Sequence, residues 1–86
     1  MTHRLDIQRT RQAVTYEFQG LLDPAAFEEL RADVERAVAD GVSVRVHLRE
    51  GTEVERACVA GLRALGAELV AESAYLARWI GGTAAR

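Results

Sequence analysis

The sequence predicts an α/β fold: a two-layer sandwich in which a four-stranded mixed sheet carries its helices on one face, with the elements in the order ββαβαβα. Three observations carry that prediction. From Val42 to Leu48 the residues Val42, Val44, Val46 and Leu48 alternate with Ser43, Arg45, His47 and Arg49, the period of a strand with one buried face and one wet face. A parallel strand covered on both sides would be apolar throughout, so the charged alternation confines the helices to a single face. On either side of this strand, apolar residues recur at steps of three and four, as in amphipathic helices. Helix start and stop residues bracket those segments: Asp23-Pro24 and Gly41 for the first, Thr52 and Gly66 for the second.

Taken in order, Leu5 and Ile7 alternate with Arg4, Asp6 and Gln8, and Val14, Tyr16 and Phe18 alternate with Thr15, Glu17 and Gln19. Two short strands result, joined as a hairpin across Arg9–Gln12, a linker without Gly or Asn. Asp23 is a good N-cap, and Pro24 suits a first helical position, where no amide hydrogen is needed. That helix runs to about Asp40, with Phe27, Leu30, Val34, Ala37 and Val38 as its buried stripe. After the Val42–Leu48 strand, Thr52-Glu53-Val54-Glu55 reads as a capping box, in which the Thr52 hydroxyl and the Glu55 carboxylate satisfy each other's amides. The second helix then starts at Thr52, buries Val54, Cys58, Gly61, Leu62 and Leu65, and ends at Gly66. Ala67 to Glu72 gives a fourth strand centred on Leu69 and Val70. Ser73 caps a last helix whose apolar positions are Tyr75, Leu76, Trp79 and Ile80; Gly81-Gly82 ends it, and Thr83 to Arg86 forms a frayed tail. Right-handed crossovers with every helix on one face make the strands advance in one direction, in the order 1-2-3-4.

Eighty-six residues, 6% of them aromatic, make one domain, 1–86, with a mostly aliphatic core. Such a core leaves stability marginal or supplemented by self-association. A net charge of −2 gives no electrostatic footprint for nucleic acid, and no basic run suggests a membrane surface. One cysteine cannot form an internal disulfide, the N-terminus lacks the apolar centre of a signal peptide, and no apolar run reaches the ~20 residues of a membrane span. A cytoplasmic protein is expected.

Gly20-Leu21-Leu22-Asp23 before the first helix, the valine-rich strand Val42–Leu48 after the Ala37–Gly41 helix end, Gly61-Leu62 with Leu65, and the closing strand with its short helix together resemble a STAS domain. STAS domains are the small α/β modules of bacterial anti-sigma-factor antagonists, and they also occur at the ends of sulfate transporters. The resemblance covers almost the whole chain and implies the fold given above and a regulatory role in binding another protein. Two departures mark it as divergent. His47-Leu48 stands where the family carries an aspartate at the end of the central strand, and Cys58-Val59-Ala60 precedes Gly61 where the family has Asp-Ser-Ser-Gly. The serine that the antagonists phosphorylate is absent there.

Among individual residues, Thr52 draws attention because it falls at the carboxyl end of a parallel strand and the start of a helix, where open α/β sheets present ligands and the helix dipole favours an anion. A phosphoryl group on Thr52 would lie beside that dipole, opposed by Glu53 and Glu55; the capping box accounts for the residue without any function. Arg49-Glu50-Gly51 could hold an anion, although no glycine-rich phosphate motif is present, or form a solvated turn. His47 and His3 read as surface residues, with no spacing that suggests a triad or a metal site. Cys58 reads as a small core residue. The pairs Glu28/Glu29 and Glu53/Glu55 are explained by helix dipoles and solubility. Tyr75, Trp79 and Ile80 either cover the end of the sheet or form an aromatic anchor for a partner.

These readings converge on a non-enzymatic, STAS-type protein-interaction module without cofactor or metal, binding another protein or itself through Arg49, Glu50, Gly51, Thr52 and Glu53, with the wet face of Glu17, Arg45 and His47 as a second surface. Thr52 is a possible phospho-acceptor. The alternative is a small-molecule or anion-binding domain that uses the 49–52 loop and the helix N-terminus. No acid–base pair or nucleophile–base pair assembles from these residues, so catalysis is not expected.

Overall fold

The structure is a computed structural model that describes residues 3–80 and 83–84. Its elements are β1 (Arg4–Arg9), β2 (Ala13–Gln19), β3 (Leu21–Leu22), α1 (Pro24–Ala39), β4 (Ser43–Leu48), β5 (Glu53–Val54), α2 (Arg56–Ala64), β6 (Glu68–Ala71), α3 (Ala74–Ile80) and β7 (Thr83–Ala84). The principal sheet runs β1-β2-β4-β6, extended at its far edge by β7. β1 is antiparallel to β2, and the remaining neighbours are parallel. This is the four-stranded mixed sheet expected from the sequence, with the strands in chain order. β7 differs from the frayed tail expected over Thr83 to Arg86: Thr83 and Ala84 pair with Val70 and Ala71. Met1, Thr2, Gly81, Gly82, Ala85 and Arg86, together with the Trp79 side chain, lie outside the described residues.

The alternation seen in the sequence is the burial pattern of the sheet. Val14, Tyr16, Phe18, Val44, Val46, Leu48, Leu69 and Ala71 are buried and join one core cluster with Leu30 and Val34 of α1, Leu62 of α2 and Ile80 of α3. Thr15, Glu17, Arg45, His47 and Glu68 occupy the opposite, helix-free face. Side chains of adjacent strand residues point to opposite faces, so a single cluster on one side means that all three helices cover that side.

The hairpin forms without Gly or Asn because Thr10 closes it with its own side chain. Its hydroxyl oxygen accepts from the Ala13 amide at 3.0 Å, and the Thr10 amide donates to the Ala13 carbonyl at 2.8 Å. α1 begins as expected: the Asp23 carboxylate accepts from the Ala26 amide at 3.0 Å, with Pro24 in the first turn. Gly41 follows the helix at φ 78°, the left-handed turn that glycine takes without a Cβ penalty. Ala26 takes a place on the buried stripe, while Val38, expected there, is 40% exposed near the C-terminal end of the helix.

The region between β4 and α2 differs from expectation. Thr52 does not start a helix, and no capping box forms. Glu53 and Val54 instead make a two-residue strand parallel to Leu21-Leu22, with the Glu53 amide donating to the Gly20 carbonyl at 2.9 Å and the Glu55 amide to the Leu22 carbonyl at 3.2 Å. Extended pairing satisfies amides that a first helical turn would leave without partners, and the β-branched Val54 suits it. α2 therefore begins at Arg56, with Glu55 as an N-cap whose side chain makes no capping bond. Gly61 lies where α2 meets α1: a Cβ there would stand 2.6 Å from Phe27 Cζ, closer than carbon atoms approach.

Candidate functional site

Three loops meet beyond the carboxyl ends of the parallel strands: 20–23 after β2, 49–52 after β4 and 72–73 after β6. The middle one is tied down from both sides. The Arg49 amide donates to the Phe18 carbonyl at 2.8 Å, and the Thr52 amide to the Arg49 carbonyl at 3.1 Å. On one side Gln19 Nε2 donates to the Glu50 carbonyl at 3.1 Å; on the other, the Glu50 amide donates to Glu72 Oε1 at 2.7 Å. Gly51 turns the chain at φ 87°, a conformation open to glycine.

Thr52 is held inside this loop. It is 8% exposed, and its hydroxyl donates to the Phe18 carbonyl at 3.1 Å, sharing that acceptor with the Arg49 amide. Its hydroxyl thus fastens the 49–52 loop to the end of β2, and phosphoryl transfer to it would require that bond to break. The first turn of α2 itself reads Glu55-Arg56-Ala57-Cys58 and carries no hydroxyl side chain.

A pocket of about 350 Å³ opens beside the loop, lined by Glu50, Gly51, Thr52, Glu53 and Val54 from one side and Ser73, Tyr75 and Leu76 from the other. The five residues singled out from the sequence are therefore divided. Glu50, Gly51, Thr52 and Glu53 line the pocket, whereas Arg49 turns to the helix-free face, where its Nη1 lies 3.4 Å from Glu17 Oε1. The Glu50 and Glu53 carboxylates have no ion-pair partner among the described residues.

Tyr75, for which the sequence leaves open either a cover for the end of the sheet or an aromatic anchor, is 78% exposed at the pocket rim. Ser73 caps α3 by accepting from the Leu76 amide at 3.2 Å, so Tyr75 falls in the first turn. Leu76, Ala77 and Ile80 take the buried side. That spacing was a usable signal: Leu76 and Ile80, four apart, define the inner stripe, and Tyr75 lies about 100° round the helix from Leu76. Glu72, which was read only as a strand end, proves to be the anchor of the Glu50 amide.

The helix-free face is internally paired. Besides Arg49 and Glu17, Arg45 Nε lies 3.0 Å from Glu68 Oε1, and His47 Nε2 lies 3.8 Å from Glu72 Oε2. The two arginine pairs join neighbouring strands and leave this face with less spare charge than the pocket rim. His3, read as a surface residue at the start of the chain, stacks on Phe18 with ring centroids 5.2 Å apart and approaches Glu29 Oε2 at 2.7 Å. Cys58 is buried, and burial, with Glu55 and Asp23 nearby, raises its thiol pKa, the reverse of what a nucleophilic cysteine requires. No group of three or more His, Cys, Asp or Glu side chains that could hold a metal occurs among the described residues. No helix among them is long and apolar enough to cross a membrane.

No protein-family model matches the chain, and no curated protein matches it in sequence. Its fold is nonetheless similar to a solved structure, that of the anti-sigma factor antagonist SpoIIAA in its unphosphorylated form. The TM-score is 0.60 over 99% of this chain and 88% of that one, at 19% sequence identity. The chain has a STAS-like fold.

Proposed function

We propose that this chain is a non-enzymatic regulatory module of the STAS type, acting in the cytoplasm and binding a partner protein, or a second copy of itself, at the carboxyl end of its parallel strands. The observation that carries the reading is the pocket between the pinned 49–54 segment and the start of α3. There an exposed tyrosine and two carboxylates without ion-pair partners among the described residues stand beside the apolar Val54 and Leu76. Exposed aromatic side chains beside apolar surface are characteristic anchors of protein interfaces. The likeness in fold to an anti-sigma factor antagonist supports the same class of function.

The anion-binding alternative has less support. Arg49, the cation it relies on, is engaged with Glu17 on the other face, and carboxylates line the pocket. Saturable stabilisation by inorganic phosphate in a thermal-shift experiment would favour it nevertheless. The interaction reading is tested by light scattering on the purified chain, followed by affinity capture from the source lysate with wild type and an E50A/E53A/Y75A variant. A protein, or a second copy, bound by the wild type and lost with the variant is the expected result. Equal recovery by both would move the interface elsewhere.

A further inference from the structure

We infer that the segment received by this pocket is basic and apolar: a partner's arginine or lysine, flanked by an aliphatic residue, seated between Glu50 and Glu53. The inference rests on the interaction reading and gives its partner a chemistry. Four features of the site point to it. Among the described residues, the charged side chains lining the pocket are Glu50 and Glu53, and none of its lining side chains is cationic. Neither carboxylate has an ion pair among the described residues, although most other charges of the sheet face and of α1 have found partners. Val54 and Leu76 supply an apolar wall beside the carboxylates, which suits the aliphatic stem of a long cationic side chain whose head stays polar. Tyr75 stands on the rim at 78% exposure, a ring face open to an arginine or lysine head.

The backbone around the carboxylates is already fixed before any partner arrives. The Glu50 amide and carbonyl are held by Glu72 and Gln19, and Glu53 lies in the β3–β5 pairing. A fixed frame lowers the ordering cost of docking. An acidic segment would face two like charges in the same frame, so charge selects against it.

The test titrates the 86-residue chain with acetyl-Leu-Arg-Leu-Arg-Leu-amide and with its citrulline and glutamate counterparts, following backbone amide shifts by NMR. The arginine peptide is expected to move the amides of Glu50 to Val54, Tyr75 and Leu76 saturably. The citrulline peptide should bind more weakly by about fivefold and the glutamate peptide not at all; E50Q/E53Q should weaken the arginine peptide by about five- to tenfold, the size of two partly exposed charge pairs. If all three peptides move these amides equally, or the glutamate peptide moves them most, the pocket still docks a partner and the basic chemistry is wrong. If none moves them, the docking reading falls with it.

Discussion

Tyr16 shows how a residue can be wholly buried and still carry a cost. Its side chain is 0% exposed, and its hydroxyl makes no well-formed hydrogen bond among the described residues, although Arg9 lies within interaction range and Arg36 and Asp33 lie near. Removing an unsatisfied buried hydroxyl while keeping the ring should be neutral or stabilising, so Y16F is expected to raise unfolding free energy by up to about 1 kcal/mol in urea denaturation. Burial, and secondarily Asp33, raises the phenol pKa above its ordinary 10.0, while Arg9 and Arg36 oppose the shift. The folded chain thus holds this proton more tightly than the unfolded one. The associated stability is fully present below pH 10.0 and is lost as pH climbs through the raised folded value. Cys58 behaves likewise above its ordinary 9.0. Stability measured across the alkaline range should fall for wild type and fall less steeply for Y16F; equal slopes would show that the tyrosine is not responsible. Thr52 gives a second test, because T52V keeps the shape and removes the donor to the Phe18 carbonyl. A loss of about 1 kcal/mol is expected, with faster amide exchange over residues 50–53.

Between elements, the close approach of α1 and α2 depends on Gly61. G61A would place a methyl group 2.6 Å from Phe27 Cζ and is expected to destabilise the chain by about 1–3 kcal/mol, despite alanine's better helix propensity. Adding F27L to G61A should recover part of the loss; no recovery would place the clash elsewhere. Most elements were legible in the sequence for local reasons. Asp23-Pro24 and Ser73 are caps that act within their own turns, and the alternation of Val44, Val46 and Leu48 is the direct imprint of a one-sided sheet. The start of α2 was not legible, because Thr52-Glu53-Val54-Glu55 satisfies a local capping pattern while the outcome depends on Leu21-Leu22, some thirty residues away. A two-residue strand has no period of its own, and only the fold brings its partner near.

For the molecule as a whole, the candidate site was half readable. Glu50, Gly51, Thr52 and Glu53 follow the central strand in sequence and therefore had to lie at its carboxyl end, which open sheets use for binding. The other half of the pocket comes from Ser73, Tyr75 and Leu76, and its proximity follows from β6 lying next to β4. Arg49 continues the wet face of β4, as its place in the alternation requires, and pairs with Glu17, so among the described residues the charged lining of the pocket is carboxylate. The helix-free face and the carboxyl end of the sheet thus offer two candidate surfaces, a paired one around Arg45 and an open one around Tyr75. Site-specific photocrosslinking distinguishes them most directly. Benzoylphenylalanine replaces Tyr75 in one variant and Arg45 in another, and both are irradiated in source lysate after their folds are matched by circular dichroism. A discrete adduct from position 75, competed by unlabelled wild-type chain and absent from position 45, is the expected result. An adduct from position 45 alone, or none from either, would contradict docking at the carboxyl end of the sheet.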